Sequence, residues 1–237
     1  MDFNKKLNEK LKLININISE DEIENFKIYM ELLLEWNEKI NLTAITDEND
    51  IVLKHFVDSL TIKKYISENE KIIDIGTGAG FPGIPLAIMN KYNEITLMDS
   101  LNKRIVFLND VIDKLKLNNV KAIHSRAEEL ARNKNHREKY DVAVSRAVAN
   151  LSTLVEYMLP FVRIGGKCIC MKGPNIEEEL KNAKKAIKEL GGEVIKIENF
   201  KLPESDNERN IVIIKKIRET SSKYPRKSGT PSKEPIK

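Results

Sequence analysis

A glycine-rich segment constrains the fold of this chain more than any other feature. The apolar residues of the run 72–75 are followed by glycines at 76, 78, 80 and 83, and then by an apolar segment with helical spacing. Glycine allows the positive φ angles of a tight turn and lets a ligand approach the main chain closely. The pattern predicts a strand, a turn and a helix, which together form the nucleotide-binding corner of a doubly wound α/β sheet.

The composition is that of a soluble globular protein. Of the 237 residues, 41% are hydrophobic and 32% are charged, which suffices for one substantial domain with extensions. We see no apolar run of roughly 18 residues that could span a membrane, and the polar N-terminus has no signal-peptide core. We therefore expect a cytoplasmic protein with no membrane partner.

From residue 71 onward, apolar runs alternate with amphipathic segments. Strands are predicted at 71–75, 94–99, 120–124, 140–145, 167–172, 193–200 and 209–217. Helices are predicted near 83–91, 102–117, 127–133, 151–159 and 175–190. The first five strands have βαβ spacing and should be parallel, whereas the short loop before the last strand predicts an antiparallel pair. The fold class is thus α/β, a doubly wound, mostly parallel seven-stranded sheet similar to the Rossmann-like class I methyltransferases.

Three regions follow from this pattern. Residues 1–66 are expected to form a helical N-terminal extension, in which Ser19 and Glu22 make a capping box and a second helical stretch covers about 51–66. Residues 67–218 are expected to form the sheet domain. Residues 219–237 are rich in Ser, Pro and Lys and are expected to form a basic, flexible tail.

The basic tail suggests an anionic partner. Between residues 215 and 237 there are eight basic and two acidic side chains, and nucleic acid is the commonest partner of such a segment. We expect Lys223, Arg226 and Lys227 to contact RNA phosphates. A solvated tail that only aids solubility is the alternative interpretation of the charge.

The glycines alone leave two ligands open. Gly78, Gly80 and Gly83 satisfy the dinucleotide pattern, so an NAD enzyme remains an alternative. However, Asp74 precedes Gly76 in the D-x-G-x-G-x-G form of a methyltransferase loop. Its carboxylate and the open turn at Gly76 and Gly78 would face the methionine part of S-adenosylmethionine.

Further cofactor contacts are expected after the next two strands. Asp99 ends the second strand, where it would accept hydrogen bonds from both ribose hydroxyls; capping of the next helix is its alternative role. Ala127 and Glu128 follow the third strand, where a methyltransferase commonly contacts adenine. A plain acidic residue at a helix start is equally compatible with Glu128.

The absence of two motifs limits which chemical group could accept the methyl group. The fourth strand ends near Arg146 without the Pro-Pro-aromatic loop of amine methylation, and Cys168 and Cys170 lie inside a strand as buried structural thiols. A ring nitrogen such as guanine N7 needs no general base, so we assign no catalytic residue and no metal site. Arg146, Lys172 and His55 are candidates for RNA contact, with a satisfied structural role as the alternative for His55.

Several blocks together resemble a known family, the ribosomal RNA small subunit methyltransferase G family, also called glucose-inhibited division protein B. The blocks are EWNEKINLT at 35–43, KHFVDS at 54–59, DIGTGAGFPGIP at 74–85, LMDSLNKR at 97–104, SRAEE at 125–129, SRA at 145–147, MKG at 171–173 and KYPRKSGTPSKEPI at 223–236. The resemblance spans the chain from about residue 19 to its end.

The resemblance implies a function. It implies a 16S rRNA (guanine-N7)-methyltransferase that uses S-adenosylmethionine, releases S-adenosylhomocysteine and acts on the small ribosomal subunit or its RNA. Family cofactor contacts carry over to Gly76, Phe81, Ala127, Glu128 and Arg146. We expect a monomer.

Besides an NAD-dependent dehydrogenase, two other functions remain as alternatives. One is an RNA-binding assembly factor with a vestigial cofactor pocket, and the other is a methyltransferase for a small molecule or a protein.

Overall fold

The computed structural model describes residues 2–237, which contain one seven-stranded sheet. The strands are β1 (Lys71–Ile75), β2 (Glu94–Asp99), β3 (Val120–His124), β4 (Tyr140–Arg146), β5 (Val162–Lys172), β6 (Gly192–Lys201) and β7 (Glu208–Lys216). Their spatial order is β3-β2-β1-β4-β5-β7-β6. Only β7 runs antiparallel to its neighbours β5 and β6. The predicted doubly wound, mostly parallel sheet is confirmed.

The centre of the sheet is the point where the strand order reverses. β1 pairs with β2 on one edge and with β4 on the other. In open α/β sheets, ligands bind in the crevice at the carboxyl ends of the strands beside such a reversal. The topology therefore places the candidate site after residues 75, 99 and 146.

The N-terminal region packs against the sheet domain. It contains α1 (Phe3–Lys12) and α2 (Glu20–Ile40), and the capping box of Ser19 and Glu22 begins α2 as predicted. Phe26 and Tyr29 of α2 are fully buried and belong to the same hydrophobic cluster as Ile72 of β1. Because the region shares this core, its boundary at residue 66 stays a prediction.

The helical stretch predicted at 51–66 is divided into four short elements. They are α3 (Glu48–Ile51), a π-helix (Val52–Val57), α4 (Asp58–Leu60) and a 3₁₀ helix (Lys63–Tyr65). Asp47 caps α3 by accepting hydrogen bonds from the N–H groups of Asn49 and Asp50. A π-helix is rare and occurs often at functional sites, and this one faces the carboxyl end of β4.

The remaining helices cover both faces of the sheet. They are α5 (Gly83–Met89), α6 (Asn102–Lys114), α7 (Ala127–Leu130), α8 (Leu151–Met158) and α9 (Ile176–Glu189). Side chains alternate across a strand, so Ile72 packs with the N-terminal helices, α5 and α6, whereas Ile73 and Ile75 pack with α8 and α9. Two hydrophobic layers thus fix the sheet from opposite sides.

The C-terminal residues differ from the expected flexible tail. They include α10 (Thr230–Lys233), and the side chains of Tyr224, Pro231 and Ile236 are buried against the body. Arg226 pairs with the buried Glu156 of α8. The polar composition suggested disorder, but three separated apolar side chains and one ion pair hold the segment in place.

Candidate active site

The loop after β1 has the conformation that its glycines predict. Gly76 and Gly78 have φ angles of 66° and 62°, in the left-handed region that favours glycine. A Cβ on Gly78 would have no atom within 4 Å, whereas a Cβ on Gly76 would lie 2.7 Å from Val148 Cγ2. Gly78 therefore opens onto free space at the carboxyl edge of the sheet.

Asp74 lies beneath this loop and is fully buried. Its Oδ2 accepts hydrogen bonds from Thr77 Oγ1 at 2.6 Å and from the Gly83 N–H at 2.8 Å. Its Oδ1 has no hydrogen-bond partner among the described residues. Burial, the largest effect, raises the pKa of Asp74 to about 7. A buried acceptor without a partner is costly, so a ligand donor that reached Oδ1 would remove this cost.

Asp99 is brought to the same loop, where its carboxylate already has several partners. Oδ2 accepts from the Gly78 N–H at 3.0 Å, and Oδ1 accepts from the Leu101 N–H at 2.9 Å. Arg104 Nη1 lies 3.1 Å from Oδ2. Asp99 thus supports the glycine loop and binds the N–H before α6, the alternative role expected for it, while its contact with ribose stays a prediction.

Ala127 and Glu128 begin α7 beside this edge, and both are buried. Glu128 Oε1 accepts a hydrogen bond at 2.8 Å from the N–H of Gly229, which belongs to the C-terminal segment. Sequence patterns do not predict this contact, because Gly229 and Glu128 lie 101 residues apart.

Phe81, His55 and Arg146 form a stack between the glycine loop and the π-helix. The rings of His55 and Phe81 are stacked, with centroids 4.4 Å apart. The Arg146 guanidinium carbon lies 4.9 Å from the Phe81 ring centroid, which is a cation–π contact. Phe81 also packs on Tyr29 and Phe56 of the core. It thus serves as a core aromatic residue and as a platform for Arg146.

Arg146 ties the end of β4 to the π-helix. Its Nη1 donates to the Lys54 carbonyl oxygen at 3.0 Å and to Asp58 Oδ2 at 3.1 Å. Its Nη2 lies 3.1 Å from His55 Nδ1. Since a guanidinium only donates, Nδ1 is the acceptor and the neutral His55 carries its proton on Nε2, 2.9 Å from Thr43 Oγ1.

The charge of His55 is set by this environment. Burial and, next, the positive charge of Arg146 lower the pKa of His55 to about 3. His55 is therefore neutral near pH 7. The residue has the satisfied hydrogen bonds of a structural histidine, yet its position against Arg146 and Phe81 places it at the candidate site.

Asp58 and Arg209 complete the cluster. Asp58 is buried and lies between two arginines, with Arg209 Nε 3.2 Å from its Oδ1. Sequence reasoning did not identify Arg209. Its position at the start of an antiparallel last strand was the available signal, because that end of β7 lies beside the carboxyl ends of the parallel strands.

A cavity of about 460 Å³ adjoins this cluster. Four cationic side chains line it, those of Lys54, Arg146, Lys172 and Arg209. Two anionic side chains, those of Asp58 and Glu179, also line it, so cations are in excess. Lys172 pairs with Glu179 at 2.7 Å and donates to the Ala149 carbonyl oxygen.

The basic residues predicted to bind RNA in the C-terminal segment differ in their surroundings. Lys223 pairs with Glu189 at 2.9 Å, and Arg226 pairs with Glu156 at 2.7 Å. Lys227 is exposed. Arg226 is therefore held by an ion pair, whereas Lys227 is accessible to a partner.

The two cysteines are buried in β5, as predicted from their spacing. Burial raises the pKa of the Cys170 thiol to about 12 and that of Cys168 well above its usual value. Both thiols are thus protonated and poor nucleophiles. Within residues 2–237, no group of three or more His, Cys, Asp and Glu side chains is arranged to hold a metal ion.

Comparison with known proteins decides the family. A family model described as rRNA small subunit methyltransferase G matches residues 22–212. The chain belongs to this family. Ribosomal RNA small subunit methyltransferase G of Alkaliphilus oremlandii is 55% identical over 233 residues, which cover 98% of each chain. The protein of the same name from Acetivibrio thermocellus is 51% identical and covers 93% of this chain and 91% of its own.

Solved structures agree on the fold. A SAM-dependent methyltransferase from Aquifex aeolicus matches with a TM-score of 0.53 and 17% identity, covering 71% of this chain and 93% of its own. TYW2 of M. jannaschii, solved in complex with AdoMet, matches with a TM-score of 0.51 and 20% identity, covering 66% of this chain and 74% of its own. At these identities the match establishes the class I fold of this family member and nothing finer. None of the helices in the described part of the chain has the length and apolar character needed to cross a bilayer.

Proposed function

We infer that this protein transfers a methyl group from S-adenosylmethionine to N7 of a guanine in 16S ribosomal RNA. Membership of the rRNA small subunit methyltransferase G family supports the reaction and the class of RNA. In the structure, the Arg146 network carries the inference, because it joins the glycine loop to the cationic cavity at one sheet edge. A donor held by the loop and an acceptor in the cavity would share the end of β4.

The residues around the glycine loop fit the cofactor, which supplies an electrophilic methyl group on a positively charged sulfur. The unpartnered Oδ1 of Asp74 fits a ligand donor such as the methionine ammonium group. Asp99 fits the ribose hydroxyls, which would join or replace Arg104, the one flexible side chain bonded to it. Glu128 and Ala127 fit the adenine side.

The cofactor would also have to approach the main chain of the glycine loop closely. Gly78 leaves open space where a side chain would project, whereas a Cβ on Gly76 would meet the side chain of Val148. Phe81 is buried beneath the loop with only 5% of its surface exposed. We assign Phe81 to the wall of the cofactor site, where it also supports Arg146.

The acceptor side fits a nucleotide of an anionic polymer. A cavity of about 460 Å³ lies within the usual range for small-ligand sites. Arg146 and Arg209 offer guanidinium donors suited to the O6 edge of guanine or to phosphate oxygens. The excess of cations favours the RNA backbone around the base.

The residues present suit a reaction that needs no proton transfer before bond formation. Guanine N7 has a lone pair and no proton near pH 7, so the protein has to place and desolvate the base. The transfer breaks a carbon–sulfur bond, forms a carbon–nitrogen bond and leaves the guanine ring positively charged. A neutral His55 adds no further positive charge beside that ring.

Incubation with radiolabelled S-adenosylmethionine tests this function. The substrates are unmethylated small subunits and naked 16S RNA, and N7-methylguanine is mapped by chemical cleavage. We expect label at one guanine in at least one substrate; no label in either substrate would overturn the proposal.

A matched pair of variants tests the acceptor cavity. Arg209→Gln should reduce RNA methylation at least 10-fold while leaving the affinity for S-adenosylhomocysteine unchanged. Arg163→Gln alters an exposed arginine on β5, paired with Asp141, and should leave both unchanged. An Arg209→Gln enzyme with full activity would contradict the assignment of the cavity.

We further propose that the protein works in the cytoplasm as a monomer and without a metal ion, and that residues 67–218 form its methyltransferase domain. Light scattering during gel filtration tests the monomer. Full activity after dialysis against EDTA is the result expected for a metal-independent enzyme.

A further inference from the structure

The C-terminal segment 220–236, here named the C-terminal strap, is bound along α8. Thr153 Oγ1 donates to the Pro231 carbonyl oxygen at 3.0 Å, and Ser152 Oγ donates to the Ile236 carbonyl oxygen at 2.5 Å. Both donors are buried. The strap therefore accepts hydrogen bonds from two buried side chains in the first turn of α8.

An ion pair fastens the middle of the strap. Glu156 of α8 has no exposed surface, and its two oxygens accept from Arg226 Nε and Nη2 and from the Arg226 backbone N–H at 2.7–3.1 Å. Bidentate guanidinium–carboxylate pairs are among the strongest side-chain contacts. Removal of one partner would leave a buried charge unpaired.

Two arginines of the body bind the backbone of the strap. Arg132 Nη2 donates to the Pro225 carbonyl oxygen at 2.6 Å. Arg137 donates to the carbonyl oxygens of Thr220 and Tyr224 at 2.6 Å and 2.8 Å. These contacts hold main-chain atoms, so they fix the path of the strap independently of most of its side chains.

The same path brings the strap to a residue of the candidate cofactor site. The Gly229 N–H donates to Glu128 Oε1 at 2.8 Å, and Ser228 Oγ donates to Glu129 Oε1 at 3.1 Å. No described residue donates a hydrogen bond to the other oxygen of Glu128, Oε2. One carboxylate oxygen is thus fixed by the strap, and the second is left as an acceptor.

We propose that the C-terminal strap orients Glu128 toward the exocyclic amine of adenine, with Arg226 as the positioning residue that holds the strap. This inference rests on the proposed function, which places adenine beside Glu128. The strap is then part of the cofactor site, and Arg226 acts on cofactor binding rather than on RNA phosphate.

Calorimetric binding of two ligands to the full-length protein tests the inference. S-adenosylhomocysteine has the adenine amine, and S-inosylhomocysteine has an oxygen in its place. The variants are Arg226→Gln, Arg226→Lys and Lys233→Gln, the last a matched loss of one charge at an exposed position of the strap. Circular dichroism at the working temperature selects conditions in which every variant is folded.

We expect Arg226→Gln to weaken S-adenosylhomocysteine binding about 10-fold and to leave S-inosylhomocysteine binding nearly unchanged. Arg226→Lys should restore part of the preference, and Lys233→Gln should leave it intact. A merely structural loss would weaken both ligands alike and would overturn the inference. If the wild-type protein bound neither ligand, the proposed function itself would fail.

A double-variant cycle locates the effect at Glu128. Glu128→Gln retains an acceptor for the Gly229 N–H and alters the group that faces the ligand. Arg226→Gln added to Glu128→Gln should cause less than a 2-fold further loss of S-adenosylhomocysteine affinity, because both changes remove the same contact. Additive losses would show that the strap acts elsewhere and would contradict the proposal.

Discussion

Asp74 combines complete burial with one carboxylate oxygen that has no hydrogen-bond partner among the described residues. Its other oxygen holds the glycine loop through Thr77 and Gly83. Burial raises its pKa to about 7, so the protonated carboxyl group is the more stable form in the folded chain at any pH below that value. We interpret this as stability given up to keep an acceptor available under the loop.

Asp74→Asn should therefore change the pH dependence of stability. A raised carboxyl pKa stabilises the fold below the unfolded value, near 4, and this contribution disappears as the pH rises through about 7. Relative to Asp74→Asn, the wild-type protein should lose about 2–3 kcal/mol of unfolding free energy between pH 5 and pH 8. Urea unfolding at both pH values measures this difference.

The same variant separates stability from binding. Asp74→Asn should be at least as stable as the wild-type protein at pH 8, yet bind S-adenosylhomocysteine at least 10-fold more weakly, since an amide group replaces the free oxygen. A variant that is less stable at pH 8, or that binds normally, would contradict the role given to Oδ1.

Gly78 allows a test that distinguishes the effect of backbone conformation from a steric clash with the ligand. Its φ is 62°, and nothing lies within 4 Å of the position of a Cβ. Asn tolerates the left-handed region and Val does not, although the two side chains are similar in size. We expect Gly78→Val to abolish binding of S-adenosylhomocysteine and Gly78→Asn to retain at least 10-fold more affinity. Equal losses in calorimetry would instead indicate a steric clash with the ligand.

At the scale of elements, Arg146 holds the π-helix to the end of β4. Arg146→Lys keeps the charge but loses the fork that reaches Lys54, Asp58 and His55 together. We expect a loss of about 2 kcal/mol in unfolding free energy and faster amide hydrogen exchange in residues 52–57. Arg163→Lys, at an exposed ion pair of β5, should cost less than about 0.5 kcal/mol. Equal losses would show that the network does not support the π-helix.

The strands could be predicted closely because their signals are local. Apolar runs bounded by glycine or polar residues marked β1, β2 and β3 at the bounds observed, and the short loop before β7 predicted its antiparallel direction. Most residues in and around the glycine loop can be identified from the sequence for the same reason. Asp74, Gly76, Gly78 and Asp99 lie at or just after strand ends.

The π-helix and the strap could not be predicted, because both depend on distant partners. The residues 52–57 have ordinary helical spacing, and their altered winding is matched to Arg146, far along the chain. The strap has few apolar residues, so its composition suggested disorder. Its order comes from Glu156, Arg132 and Arg137, whose contacts with it have no signature in sequence.

At the scale of the molecule, the charge that matters for RNA is a local property. The net charge is only +4, but four cationic side chains, each paired with a carboxylate, are concentrated around the cavity beside β4 and β7. The C-terminal strap adds further basic residues, two of which are already paired with acidic ones. Counting tail charges therefore overestimates the contacts available to phosphate.

The salt dependence of RNA affinity distinguishes basic side chains that are free to bind phosphate from those that are held in ion pairs. Each RNA phosphate neutralised by a cation contributes about 0.7 to 0.9 to the slope of log affinity against log salt. Because Lys227 is exposed, Lys227→Gln should lower that slope by about 1 and weaken binding to all RNA sequences alike. Arg226→Gln should leave the slope unchanged, since its guanidinium is held by Glu156. Fluorescence anisotropy with a 16S RNA fragment from 50 to 200 mM salt measures both slopes. If Arg226→Gln lowered the slope as much as Lys227→Gln, Arg226 would have to leave Glu156 and bind an RNA phosphate. That result would contradict the assignment of Arg226 to the strap rather than to RNA.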